Sequence, residues 1–167
     1  MEQPNTNYEK EVRIVDFEQQ YKKAYRDLNV AWISQYFEME PSDFKALDSP
    51  EAYILEKGGR ILVALINDEP VGVCALIRQE EGPFDFEMAK MAVAPEARGK
   101  HIGWRLGKKI IETAKAMGGK VLYLESNTIL EPAIKLYRKL GFEEVTGYET
   151  PYKRCNIQMQ YDLTKQV

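Results

Sequence analysis

One histidine and two cysteines are the whole supply of imidazole and thiol in this 167-residue chain. Any Ser-His-Asp or Cys-His mechanism would have to run through His101, so triad hydrolysis is not the expected chemistry. Cys74 and Cys155 stand far apart with no C-x-x-C spacing. They signal neither a zinc site nor a disulfide framework, and two buried or half-buried thiols are the simplest reading. Excess charge is lacking too. The formal net charge is −3 and the sequence pI about 5.4, with Lys and Arg interleaved among acids. That pattern excludes general affinity for nucleic acid. No apolar run reaches the roughly 20 residues needed to cross a bilayer. The opening MEQPNTNYEKEV is polar and acidic, unlike a secretory leader, so no membrane partner and a cytoplasmic setting are expected.

What is present suits a single domain spanning 1–167. Apolar residues make up 44% of the chain, enough at this length to build one substantial core. EVRIVDF (11–17) alternates as a strand does. Over 18–37, Tyr21, Tyr25, Leu28, Trp32 and Tyr36 recur every three or four positions and predict a helix. EPSDFKAL, with Ser42 as cap, and SPEAYILEKGG, with Ser49 as cap and Pro50 at the first position, predict two more helical pieces. RILVALI (60–66) and VGVCALI (71–77), separated by NDEP, read as a hairpin, and EEGP (80–83) turns the chain into FEMAKMAV (86–93). A helix follows, with Leu106, Ile110, Ala114 and Met117 on one stripe and Gly118-Gly119 as its stop. KVLYLES (120–126) is apolar enough for a strand buried on both faces. EPAIKLYRKLGF (131–142) is a short helix ended by Gly141, with Phe142 placed to fold back on its last turn. FEEVTGYE and YKRCNIQMQYDL supply two final strands. The order βααβββαβαββ specifies a mixed α/β sheet with helices packed on it.

The connection APEARGKHIG (94–103) between a strand and a helix admits two readings. Small residues there let a helix pack close to a strand. Alternatively, the first N–H groups of the helix, which lack intrahelical partners, face a phosphate beside Arg98 and Lys100. The stretch matches neither the Walker loop nor the dinucleotide fingerprint, and by itself it does not choose.

Taken together, FEMAKMAV, Arg98-Gly99-Lys100-His101-Ile102-Gly103, LYLES and AIKLYRKLGF resemble the GNAT superfamily of acyl-CoA N-acyltransferases over residues 60–163. LESN (124–127) and the terminal Y-K-R-C-N-I-Q-M (152–159) are similar to modules sometimes fused to MarR-type regulators. The resemblance implies a mostly antiparallel central sheet of about seven strands with helices on both faces. It also implies acetyl-CoA as co-substrate, no metal, and direct attack by a primary amine on a small molecule or peptide. The pyrophosphate would rest on the stretch Arg98, Gly99, Lys100, His101, Ile102, Gly103 and Trp104, where His101 replaces a family glycine. The backbone of Met91, Ala92 and Val93 would pair with the pantetheine arm, with Asn127 as a second contact. Tyr137 falls on the family tyrosine near the thioester sulfur, and Glu87 on a position used for the general base. Glu87 is equally read as the partner of Lys90 or another cation, and Glu125 or a water relay is the rival base. Arg154 and Asn156 either orient the acceptor or tie strands together. A homodimer is implied by the relatives, with Trp32 and Tyr36 as surplus aromatic surface. A non-catalytic acyl-CoA-binding module is the alternative function.

Overall fold

The computed structural model describes residues 12–165; the polar opening stretch, through position 11, lies outside them. Strand β1 (Val12–Asp16) leads through a 3-10 turn (Gln19–Tyr21) into α1 (Lys22–Tyr36) and α2 (Pro41–Asp48). Then come β2 (Arg60–Ile66), β3 (Glu69–Arg78), β4 (Phe86–Val93), α3 (Ile102–Ala116), β5 (Val121–Ser126), α4 (Glu131–Leu140), β6 (Glu143–Val145) and β7 (Ile157–Asp162). The seven strands form one sheet in the order β1-β2-β3-β4-β5-β7-β6, antiparallel throughout except for the β4–β5 pair. The expected mixed, mostly antiparallel sheet is therefore observed.

Local chemistry explains most of these elements. Asn67 and Asp68 form the whole β2–β3 turn, both at positive φ (50° and 65°), which suits a two-residue hairpin and which these two residue types tolerate. Along β2, Ile61, Val63 and Leu65 join the core beneath α1 and α2, whereas Leu62 and Ala64 join the core beneath α3. Helices thus cover both faces of the sheet. On α3, Leu106, Ile110 and Ala114 are fully buried, and each of the two larger side chains contributes about 1.5–3 kcal/mol. At the end of α4, Gly141 takes φ 113° and the Phe142 N–H donates to the Tyr137 carbonyl at 3.0 Å.

Several expectations needed correction. Met117 lies past the last turn of α3 and is 40% exposed, because the chain already bends at Gly118. Helix α2 is capped by Glu40, not Ser42: the Glu40 and Asp43 carboxylates form a reciprocal capping box. Ser49 makes no side-chain cap, and the piece after it is one wide π-type turn, Glu51–Leu55. The buried stripe of α1 is Tyr25, Asn29 and Ile33, and Tyr36 points outward. The segment 152–156 is not strand; β7 begins only at Ile157.

Two irregularities open the middle of the sheet. Strand β3 pairs Val73 with Ala92 and Ala75 with Ala89, so two β4 residues oppose one β3 residue. The bulge centres on Lys90, which takes φ 55° and whose carbonyl accepts the buried Asn29 amide at 3.2 Å. On its other side β4 pairs with β5 only at Phe86–Leu122 and Glu87–Tyr123. Past that point the strands separate, while β5 continues on β7 to Ser126. The backbone from 88 onward therefore borders an opening in the sheet.

Candidate active site

The N-terminus of α3 sits at one mouth of this opening. Gly99 has φ 84° and His101 sits in the left-handed region at φ 59°, ψ 26°. The His101 side chain is solvent-exposed, so the non-glycine residue is accommodated at the expense of backbone strain alone. No side chain caps α3, and no acid occupies its first turn. First-turn N–H groups without intrahelical partners are, in general, favourable to an anion. Residues from Ala97 through Arg105 wall a groove of about 1190 Å³ whose other borders are Met91–Val93 and α4. Among the described residues its charged side chains are Arg98, Lys100, Arg105, Lys135 and Lys139, with no Asp or Glu. In a chain of net charge −3, that is a marked local reversal.

Tight packing is observed at two glycines of this region, against a helix rather than a strand. A Cβ on Gly103 would meet Leu136 Cδ2 at 3.1 Å, and one on Gly107 would meet Leu140 Cδ1 at 2.5 Å. These two glycines let α4 lie against α3. Gly99 has open space around it and a positive φ, so its part is to bend the loop.

Beyond the opening lies a smaller cavity, of about 90 Å³, which shares Trp32, Met91 and Tyr137 with the groove. Trp32, expected as surplus surface, is a wall of both. Strand parity brings Glu87 and Glu125 to this cavity: Glu87 pairs with Tyr123, and Glu125 lies two residues further along the same face of β5. Burial, reinforced by the Glu125 charge and opposed by Lys90, pushes the Glu87 carboxyl up to about 8. Among the described residues no cation lies within ion-pair distance of Glu87; Lys90 is committed to Asp43 instead. One Glu125 oxygen, Oε2, is sealed from solvent with no hydrogen-bond partner. Tyr137 approaches from α4, packed against the core on the opposite face. Burial, with Cys74 nearby, raises its phenol, and its hydroxyl donates to no described residue. It remains a neutral donor across the working pH range.

Sequence reasoning named Lys90, Arg154, Asn127 and Asn156 but missed Asp43 and Glu40, which hold the two cations from behind this cavity. Asp43, fully buried, accepts two hydrogen bonds from Arg154, each 2.6 Å, and one from Lys90 at 2.6 Å. Burial would raise the Asp43 carboxyl, but the Arg154 hydrogen bonds and the Lys90 charge prevail and hold it at about 2. Burial lowers the Lys90 amine despite Asp43. Lys90 also donates to the Tyr152 hydroxyl at 3.1 Å, and the Arg154 guanidinium stacks over the Tyr152 ring at 4.5 Å. The Glu40 carboxylate takes the Lys153 N–H at 2.8 Å. Arg154 therefore ties the β6–β7 connection to α2. Asn156 does similar work, bonding the Thr128 N–H and hydroxyl. The Asn127 amide bridges the Arg154 carbonyl and the Ile129 N–H while lining the cavity. Asp43 was not singled out in the sequence, since nothing local points to partners 47 and 111 positions away. Among the described residues no group of three His, Cys, Asp or Glu side chains is placed to hold a metal ion.

Comparison with known proteins agrees with this layout. The model of the acetyltransferase (GNAT) family matches residues 21–142. The N-alpha-acetyltransferase RimI of Mycobacterium tuberculosis is 38% identical over 83 residues, half of this chain and half of that protein. The chain spans about half the length of the curated relatives it matches. A GNAT-family acetyltransferase structure from Staphylococcus aureus Mu50 superposes with a TM-score of 0.82 at 23% identity, covering 92% of this chain and 99% of that one. The yncA structure from Salmonella typhimurium, solved with acetyl-CoA, gives 0.73 at 19% identity over 93% and 96%.

Proposed function

The chain belongs to the GNAT acetyltransferase family, and from that premise we propose that it transfers the acetyl group of acetyl-CoA to a primary amine by direct attack. One observation carries the reading: a basic groove and an acid-lined cavity of opposite character meet at Tyr137, through a gap in the sheet. The residues fit the co-substrate. An uncapped helix end among basic side chains suits a pyrophosphate, and the exposed edge of β4 suits an amide-bearing arm.

When bound, acetyl-CoA supplies an acetyl group activated as a thioester. Backbone N–H groups of 99–104, with Arg98 beside them, hold the phosphates, and the backbone of Met91, Ala92 and Val93 holds the arm as a further strand would. Glu87 takes the proton from the incoming ammonium. A carboxylate of ordinary pKa would face a transfer uphill by about 8 kcal/mol from an alkyl ammonium, whereas one near 8 faces about 3 kcal/mol. Burial and the Glu125 charge are thus what make the base competent. Tyr137 donates a hydrogen bond to the sulfur as negative charge develops there. Because its phenol is raised, full proton transfer to a thiolate is more unfavourable than the ~2 kcal/mol expected of free groups. The hydroxyl acts as a donor.

The test combines calorimetry with acetyl-CoA and release of free CoA across a panel of amines. Binding together with amine-dependent release is expected. Binding without release under any amine would leave a carrier module, and no binding at all would end the proposal.

A further inference from the structure

The charge balance of the small cavity points to its acceptor. Four charged side chains line it: Glu87, Lys90, Glu125 and Arg154. The two cations are already neutralised from behind, by the three short hydrogen bonds to Asp43 and by Glu40, whose Oε2 lies 3.4 Å from Arg154 Nη1. Two bases are thereby matched by two acids that do not line the cavity; Glu87, pushed up to about 8, is mostly protonated at pH 7, which leaves the charge of Glu125 uncompensated. Glu125 carries a further signal. Its Oε2 is sealed off with no donor, and a buried acceptor without a donor is costly enough that proteins rarely leave one. One part of the remaining wall is apolar: Trp32, Ile33, Phe37 and Leu130.

Resting on the acyl-transfer reading of this site, we infer that the acceptor is an alkylammonium with an apolar shank and no carboxylate beside its amine, selected by Glu125. The ammonium brings the positive charge that the Glu125 carboxylate lacks. The shank covers the apolar wall. A free α-amino acid would set its carboxylate beside Glu125 with, among the described residues lining the cavity, no unengaged cation to receive it, since Lys90 and Arg154 are held on Asp43. Like charge placed in a half-buried cavity is a strong means of rejection.

Phenethylamine and phenylalanine share one shank and differ by that carboxylate. Both would be titrated calorimetrically at pH 7 into the chain saturated with CoA, whose free thiol cannot acylate. The expected result is at least tenfold tighter binding of phenethylamine. Glu125→Gln should weaken phenethylamine at least tenfold and bring the two ligands within about threefold, while CoA affinity stays within twofold and shows that the variant is folded. Where turnover is observed, the same variant should raise KM for phenethylamine more than it lowers kcat. Equal binding of the two ligands, no binding of phenethylamine, or an unchanged phenethylamine affinity in the variant would each overturn the assignment. Failure of CoA to bind would instead strike the acyl-transfer reading, and titration into the bare chain would still report on Glu125.

Discussion

Replacing Glu87 by glutamine keeps the shape of the protonated side chain and removes its titration, which turns the buried carboxyl into a measurable pH dependence. With the folded value near 8 and the ordinary value 4.5, the native state holds a proton between those limits that the unfolded chain has released. Stability of the wild type should therefore be fullest below pH 4.5 and fall as pH rises, by about 1.4 kcal/mol per unit, until the loss levels off above pH 8. A shift of about 3.5 units caps the effect at about 5 kcal/mol. Glu87→Gln escapes this loss, and most other titrations are common to both proteins. The difference in unfolding free energy, variant minus wild type, should climb through this window and then flatten. Urea denaturation of both proteins at half-unit steps from pH 5 to 9 measures it. The same group sets the rate. Below pH 8 both enzymes should lose activity in parallel as protons accumulate, so the deficit of the variant stays constant. Above pH 8 the wild type levels off while the variant keeps gaining free amine, and the deficit should shrink about tenfold per unit toward the amine's own pKa. A stability difference that does not change with pH would refute the buried-carboxyl argument. A deficit that stays constant above pH 8 would assign Glu87 to positioning rather than proton removal.

Other perturbations separate the remaining roles. Tyr137→Phe should lower kcat about 10- to 1000-fold with acetyl-CoA affinity nearly unchanged, since only the hydroxyl that meets developing charge is lost; wild-type turnover would make the tyrosine a packing residue. Asp43→Asn leaves Lys90 and Arg154 without their shared counter-charge and should cost about 3–5 kcal/mol in chemical denaturation, whereas a loss under 1 kcal/mol would mean that the network contributes little. Asp43 should itself contribute about 2 kcal/mol that is present above pH 3.8 and lost as pH falls through about 2, an acid limb that the asparagine variant lacks. His101→Gly relieves a left-handed backbone at an exposed side chain and should raise stability by about 0.5–1 kcal/mol in thermal unfolding without weakening acetyl-CoA; a destabilised variant would show that the imidazole makes contacts of its own.

Much of this protein was legible along the chain because the relevant physics is local. Alternating and three-to-four periodicities locate strands and helices, and Gly141 followed by Phe142 fixes the end of α4, since each depends on neighbours within one turn. The groove residues 98–104 are contiguous, but their own pattern did not choose between tight packing and an anion site; the resemblance singled them out. The cavity is otherwise. Glu87 and Glu125 meet because two strands run parallel for two residue pairs and then part, and no pattern within either strand records that separation. The raised carboxyl at Glu87 comes from burial and from the charge of Glu125, which belongs to another strand. The ordinary carboxyl expected from residue type alone would be a poor base. Asp43 carried no signal in the sequence; Lys90 and Arg154 arrive from two other elements to make it the counter-ion beneath the site. Desolvation and Coulomb interaction depend on distance in space, so only the folded chain decides them.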